Sequence, residues 1–66
     1  MSRTNIERQL AAAQRDEESM ARLPSGEIVL IEKVYLGRDV RREIIRAKVF
    51  KDTRVLYVNY YELQVF

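Results

Sequence analysis

Three segments rich in Val, Ile, Leu and Tyr follow one another in the second part of the chain, and they constrain the fold most strongly. They span residues 27–36, 40–50 and 54–60, with short polar stretches at 37–39 and 51–53 between them. β-Branched and aromatic residues favour strands, and connections this short join antiparallel neighbours. The pattern therefore predicts a three-stranded antiparallel meander.

The charged residues distinguish between two possible registers of the first hairpin in this meander. A two-residue turn would place two like charges, Lys33 and Arg42, opposite each other, which destabilises a strand pair. A three-residue turn over residues 37–39 instead places Lys33 opposite Glu43. We therefore expect the second register.

In the second hairpin, the expected register places Phe50 opposite Val55 and Lys48 opposite Tyr57. Taken together, the two registers collect a nearly all-apolar face, the expected core, from Val29, Ile31, Ile45, Ala47, Val49, Leu56, Val58 and Tyr60. The other face mixes cations, aromatics and aliphatic residues: Ile28, Leu30, Val34, Arg42, Ile44, Arg46, Lys48, Phe50, Val55, Tyr57, Asn59 and Tyr61. A slip of one residue would exchange the two faces, so the pattern specifies the register strongly.

Residues 1–22 predict an N-terminal helix. Thr4 and Glu7 have the spacing of a capping box, three consecutive alanines favour helix, and neither Gly nor Pro occurs before Pro24. A narrow apolar stripe that can dock on a sheet or on one partner helix is formed by Ile6, Leu10, Ala13 and Met20. The acidic run 16–18 is expected on the solvated surface of this helix.

The C-terminal stretch Asn59-Tyr60-Tyr61-Glu62-Leu63 resembles the Asn-Tyr-Val-Glu-Leu stretch that closes SH3 domains. The resemblance is confined to residues 59–66, and the family's Ala-Leu-Tyr-Asp-Tyr opening, its groove Trp and the Pro before Asn59 are absent. It implies a 3₁₀ turn leading into a short last strand. The proline-peptide function is not implied, because only Tyr60 matches a groove aromatic by position.

These observations predict one domain of the α+β class over residues 1–66. The N-terminal helix over 1–22 precedes a twisted antiparallel sheet of three to four strands over 27–66, which is SH3-like or a small open barrel. A chain of 66 residues buries a small core and is marginal as a monomer. Because both faces of its strands carry apolar residues, we expect a homo-oligomer, most simply a two-fold dimer.

The residue types argue against catalysis. The chain contains neither Cys nor His, so it offers no thiol nucleophile, no imidazole base and no soft metal site. We therefore expect a protein that is not an enzyme and that uses no metal and no cofactor.

Basic and aromatic residues on the second sheet face are the best candidates for function: Arg42, Arg46, Lys48, Tyr57 and Tyr61. Tyr and Arg are favoured at protein interfaces, and alternating cations and aromatics also suit single-stranded nucleic acid. A third reading is structural, with Arg and Lys stems lying along apolar surface that the helix or another subunit covers. The formal net charge is only +2, so we favour a protein partner over nucleic acid.

The chain contains neither a membrane-length apolar run nor an N-terminal signal sequence. We expect a cytoplasmic protein without a membrane partner. Its size is typical of phage- or plasmid-type accessory proteins, including inhibitors and assembly subunits.

Overall fold

The computed structural model describes the backbone of residues 2–66 and the side chains of residues 5–66. Its elements in chain order are helix α1 (Ser2–Ala13), a 3₁₀ turn (Gln14–Asp16), strands β1 (Met20–Arg22), β2 (Ile28–Asp39), β3 (Arg42–Lys51) and β4 (Arg54–Asn59), a second 3₁₀ turn (Tyr60–Glu62), and β5 (Gln64–Val65). The strands form one antiparallel sheet in the order β4-β3-β2-β1-β5. The predicted α+β class is confirmed, but the sheet has five strands instead of three to four and is not closed into a barrel.

One face of the sheet packs against α1 and forms the core. The buried residues there are Ala13, Ala21, Val29, Ile31, Val34, Ile45, Ala47 and Val49. From α1, Ile6 and Leu10 pack against this cluster beside Ala13, so the helix docks on the sheet through three of the four residues of the predicted stripe. The fourth, Met20, lies on β1. Every member of the expected core is either buried or packed against it.

The prediction of a helix over residues 1–22 is wrong beyond Ala13. The chain turns through positive φ at Glu18 and continues as β1, where Ala21 is fully buried between Val29 of β2 and Val65 of β5. Pairing on both sides outweighs helix propensity over these three residues. The helix also begins at Ser2, and the predicted capping contact of the Thr4 side chain lies outside the described residues.

Two residues of the acidic run, Asp16 and Glu17, make structural contacts, which contradicts the expectation of a solvated helix surface, while Glu18 is exposed in the turn after the 3₁₀ segment. The Glu17 carboxylate accepts a 2.8 Å hydrogen bond from the backbone N–H of Val34, and Asp16 accepts one from the Tyr60 hydroxyl. Burial, and then the hydrogen bond to Asp16, raises the pKa of Tyr60 to about 12. These contacts fasten the connection between α1 and β1 to the sheet and to the C-terminal turn.

Of the two predicted hairpin registers, the structure confirms one and contradicts the other. For β3 and β4 the prediction is confirmed: Phe50 pairs with Val55, and Lys48 pairs with Tyr57. For β2 and β3 it is wrong, because the turn lies at residues 40–41 and Lys33 pairs with Lys48 instead of Glu43. The expected three-residue turn over 37–39 is part of β2.

A bulge in β2 explains how most of the core survives this change of register. The pairing is regular up to Ile31 and resumes at Lys33, so Glu32 and Lys33 both lie opposite Lys48. Beyond the bulge the alternation of β2 is reversed. Val34, which was expected on the opposite face, is therefore buried in the core.

The β2–β3 turn carries a strained residue. Val40 is 90% exposed and has a φ of 58°, a left-handed conformation that is costly for a β-branched side chain. We expect Val40→Asn to raise the free energy of unfolding by about 0.5–1 kcal/mol, because Asn tolerates this conformation. Urea denaturation measures the change. Arg41→Asn is the control, since Arg41 does not have a positive φ, and an equal gain at both positions would contradict the turn assignment.

Candidate binding surface

The sheet face opposite α1, called the outer face below, is the candidate functional surface. Because α1 packs on the core face, it leaves the outer face exposed. The structural reading in which the helix covers these residues is therefore wrong for Arg46, Lys48 and Tyr57, while Tyr61 does contact α1. The strands position the side chains on this face, and near the start of β3 Arg42 and Ile44 also line a groove beside Ile6 and Gln9 of α1.

An apolar row crosses the outer face from one edge of the sheet to the other. The strand pairings place five residues side by side, one from or just after each strand in the order β5, β1, β2, β3, β4: Phe66, Met20, Leu30, Phe50 and Val55. Four of them are between 37% and 67% exposed, and Phe50 is half-buried. Apolar surface that is contiguous over five strands is characteristic of an interaction site.

A basic row lies directly beside the apolar row. Lys48 on β3 stands between Tyr57 on β4 and the β2 bulge, where its Nζ lies 3.2 Å from Glu32 Oε1. Tyr57 is 56% exposed, so its ring is available for contact. The next row contains Tyr35, Arg46 and Asn59, and Arg42 lies at the hairpin end of β3.

Arg46 is held in place by two neighbours. Its Nη2 donates to the backbone carbonyl of Tyr57 at 3.3 Å. Its stem crosses Gly37, where a Cβ atom would lie 2.5 Å from Arg46 Cγ. The absence of a side chain at Gly37 therefore lets Arg46 lie flat along the sheet. Because the Arg46 side chain is already ordered, it loses less conformational entropy when a partner binds.

The outer face has a net positive charge. Its strand positions carry five basic residues, Arg22, Lys33, Arg42, Arg46 and Lys48, against two acidic residues, Glu32 and Asp39. Arg22 also lies 5.6 Å from the centroid of the Phe66 ring, which places a cation at the end of the apolar row. The surface therefore combines apolar contact area with positive charge.

Of the five predicted site residues, four share the outer face: Arg42, Arg46, Lys48 and Tyr57. Tyr61 is directed instead toward α1, where its hydroxyl donates to Gln9 Oε1 at 3.0 Å. It lines a groove of about 250 Å³ between α1 and the start of β3. Alternation along β4 placed Tyr61 on the outer face, but β4 ends at Asn59 and the 3₁₀ turn redirects the chain.

Sequence reasoning missed the contribution of Met20 and Phe66 to the apolar row. Met20 lies in the segment for which the sequence predicts a helix, so the sequence predicts no strand partner for it. Phe66 had one signal, the apolar character of the C-terminal residues, which predicts docking but does not identify the neighbour. The backbone N–H of Phe66 donates to the carbonyl of Met20 at 3.1 Å and brings the two residues together.

No protein-family model, curated protein or solved structure matches this chain. Within residues 2–66, no helix is long and apolar enough to cross a membrane. The inferences about function below therefore rest on the geometry and chemistry of the outer face.

Proposed function

We propose that this protein is a cytoplasmic, non-enzymatic binding module that holds a protein partner on its outer face. The observation that carries the proposal is the apolar row lying directly beside a basic row on an uncovered sheet face. Interfaces combine apolar and aromatic anchors with a charged rim, and this face has both. An inhibitor or an assembly subunit of a phage- or plasmid-type system is the kind of protein that works in this way.

The chemistry of the surface defines the partner. Apolar side chains of the partner would cover Leu30, Phe50 and Val55, while its carboxylates would meet Lys48 and Arg46. Charge-assisted hydrogen bonds between guanidinium and carboxylate groups are strong and directional. The partner segment is therefore expected to be acidic and to carry several apolar residues.

Two copies of this chain are not expected to pack with their outer faces against each other. Five basic residues against two acidic ones would bring like charges together if two outer faces packed against each other. Like-charge contacts at an interface cost several kcal/mol. Charge therefore favours a different protein on this surface.

Single-stranded nucleic acid is the alternative partner. Tyr57 and Tyr35 beside Lys48 and Arg46 offer stacking surfaces next to cations, as nucleic-acid-binding sheets do. The aliphatic members of the apolar row would then be left uncovered, which is why we favour protein.

Reversal of charge at Arg46 tests the proposed function. The wild-type protein and the Arg46→Glu and Leu30→Ser variants are immobilised, and the proteins that each retains from native extract are quantified by mass spectrometry. We expect one partner to be retained by the wild type and to decrease at least tenfold on both variants, because one variant introduces a repelled charge and the other removes an anchor.

Arg8→Glu is the matched control, since it makes the same charge change on an exposed position of α1. It should retain the partner at the wild-type level. A partner lost equally with Arg8→Glu would show that net charge, and not the outer face, governs binding. A labelled single-stranded oligonucleotide tests the alternative: tight binding that falls steeply with salt and is lost with Arg46→Glu would replace protein with nucleic acid as the ligand.

A further inference from the structure

Strand β4 is an exposed sheet edge with few of the features that discourage pairing. It is the terminal strand of the sheet, runs for six residues, contains no Pro, Gly or Lys, and pairs with β3 without a bulge. The opposite edge differs. There β5 has only two residues, and the backbone of Val34 on β2 is already bonded by the side chains of Glu17 and Gln14.

Hydrogen bonds on this side of β2 show in which direction the backbone groups of β2, β3 and β4 point. The N–H and C=O groups of Val34 and of Ile31 point away from β3, because they bond to residues in the segment between α1 and β1. In an antiparallel ladder, their partners on β3, Ala47 and Val49, must direct their own groups toward β4.

The directions of Ala47 and Val49 determine which backbone N–H and C=O groups of β4 point outward from the sheet edge. Ala47 and Val49 pair with Val58 and Leu56, so these two residues of β4 are bonded to β3. The alternate residues, Val55, Tyr57 and Asn59, direct their N–H and C=O groups outward from the edge. At Tyr57 the carbonyl accepts from Arg46 Nη2 at a long 3.3 Å, and its second lone pair can accept from another strand.

This edge is complementary to itself. An antiparallel pair centred on Tyr57 matches outward-pointing residues with one another, Tyr57 with Tyr57 and Val55 with Asn59. Each of these pairs exchanges two backbone hydrogen bonds. On the core side the same register matches Leu56 with Val58, both half-buried and apolar, and it leaves Arg54 outside the pairing. A register centred on Leu56 would instead place Arg54 opposite Val58 on that side.

We propose that two copies of this chain pair through β4 about a two-fold axis at Tyr57. The dimer is one continuous sheet of ten strands, twice the five of each copy. A two-fold axis perpendicular to the sheet places both outer faces on the same side, so the dimer presents two copies of the binding surface side by side. The interface is formed by the backbone edge of β4, and although Val55 and Tyr57 also belong to the outer face, dimerisation does not depend on a bound partner, so a failure of the proposed function would leave it intact.

Sedimentation equilibrium over a hundredfold range of concentration tests the dimer. We expect the mass to rise with concentration from 7.8 kDa toward twice that value. Tyr57→Pro removes an outward N–H without affecting the bonds to β3, a place where an edge strand tolerates Pro, and it should keep the chain monomeric and folded. Tyr57→Val is the matched control, because it keeps the N–H and should still dimerise.

Cross-linking tests the register, and the absence of native cysteine makes it unambiguous. Bonded antiparallel partners have Cα atoms about 5.5 Å apart, within the range of a disulfide, so Tyr57→Cys should form a covalent dimer on mild oxidation. Val55→Cys should not, because its two copies would lie several residues apart. Three results would overturn the proposal: a monomer at all concentrations, a dimer unaffected by Tyr57→Pro, or equal cross-linking at both positions.

Discussion

Replacing Ile45 with Ala is expected to lower the free energy of unfolding by about 2–5 kcal/mol. The side chain is completely buried, and the pairing with Leu36 places it on the face that α1 covers. The core of a chain this short rarely supplies more than about 3–5 kcal/mol, so the substitution should leave much of the protein unfolded. Urea denaturation followed by circular dichroism measures the loss.

The neighbouring Ile44→Ala is the matched control. Ile44 lies opposite Gly37 on the outer face and is half-buried, so its truncation should cost about 1 kcal/mol. If Ile45→Ala leaves too little folded protein to measure, Ile45→Val still reports the difference, with an expected loss of about 0.5–1.5 kcal/mol. Losses of equal size at the two positions would contradict the assignment of faces in β3.

The sequence was most informative where a tight turn joins two strands. The register of β3 and β4 follows from the short loop at residues 52–53, where Asp52 adopts a positive φ, and from the apolar pairing of Val49 with Leu56. The C-terminal likeness to SH3 domains correctly predicted a 3₁₀ turn followed by a short strand. It did not predict the shape of the sheet, because closure depends on curvature over all strands.

The register of β2 and β3 was not predicted because the turn was expected at residues 37–39 and lies at residues 40–41. The observed register pairs opposite charges beside this turn, Arg38 with Glu43 and Asp39 with Arg42, so charge does not argue against it there.

Farther from the turn, Lys33 lies opposite Lys48, and two lysines opposite each other are unfavourable in a regular ladder. The bulge changes this balance, because it brings Glu32 beside both lysines, and the Glu32 carboxylate lies 3.2 Å from Lys48 Nζ. The sequence did not indicate this register for two reasons. Val40 and Arg41 are not residues typical of a tight turn, and the period-two pattern does not show where a bulge occurs.

The basic part of the outer face could be predicted from the sequence in spite of the wrong β2 register. Arg42, Arg46 and Lys48 all lie on β3, so their common face follows from alternation within one strand and survives an error in the β2 register. The apolar row needed β1 and the position of Phe66. The strand β1 and the position of Phe66 both require the helix to end after Ala13. The tertiary contacts of the buried Ala21 favour this end of the helix.

Replacing Glu17 with Ala is expected to lower the free energy of unfolding by about 1–3 kcal/mol. The Glu17 carboxylate accepts the backbone N–H of Val34, a fully buried residue on a stretch of β2 that β1 does not reach. Without the carboxylate this N–H loses its partner, and leaving a buried donor unsatisfied costs most of its desolvation energy. Urea denaturation measures the loss, and hydrogen exchange at the Val34 amide should become faster.

Two further variants separate this contact from simple loss of charge. Glu17→Gln keeps an oxygen that can accept the same hydrogen bond, so it should recover part of the stability that Ala removes. Glu18→Ala deletes a carboxylate that is exposed, and since both residues carry a Cβ, the cost of the positive φ there is unchanged. Its effect should stay within about 0.5 kcal/mol. An equal loss of stability at Glu17 and Glu18 would mean that the acidic run acts through its charge. The segment between α1 and β1 would then be held mainly by the hydrogen bond of Asp16 to Tyr60 and by the strand pairing of Ala21.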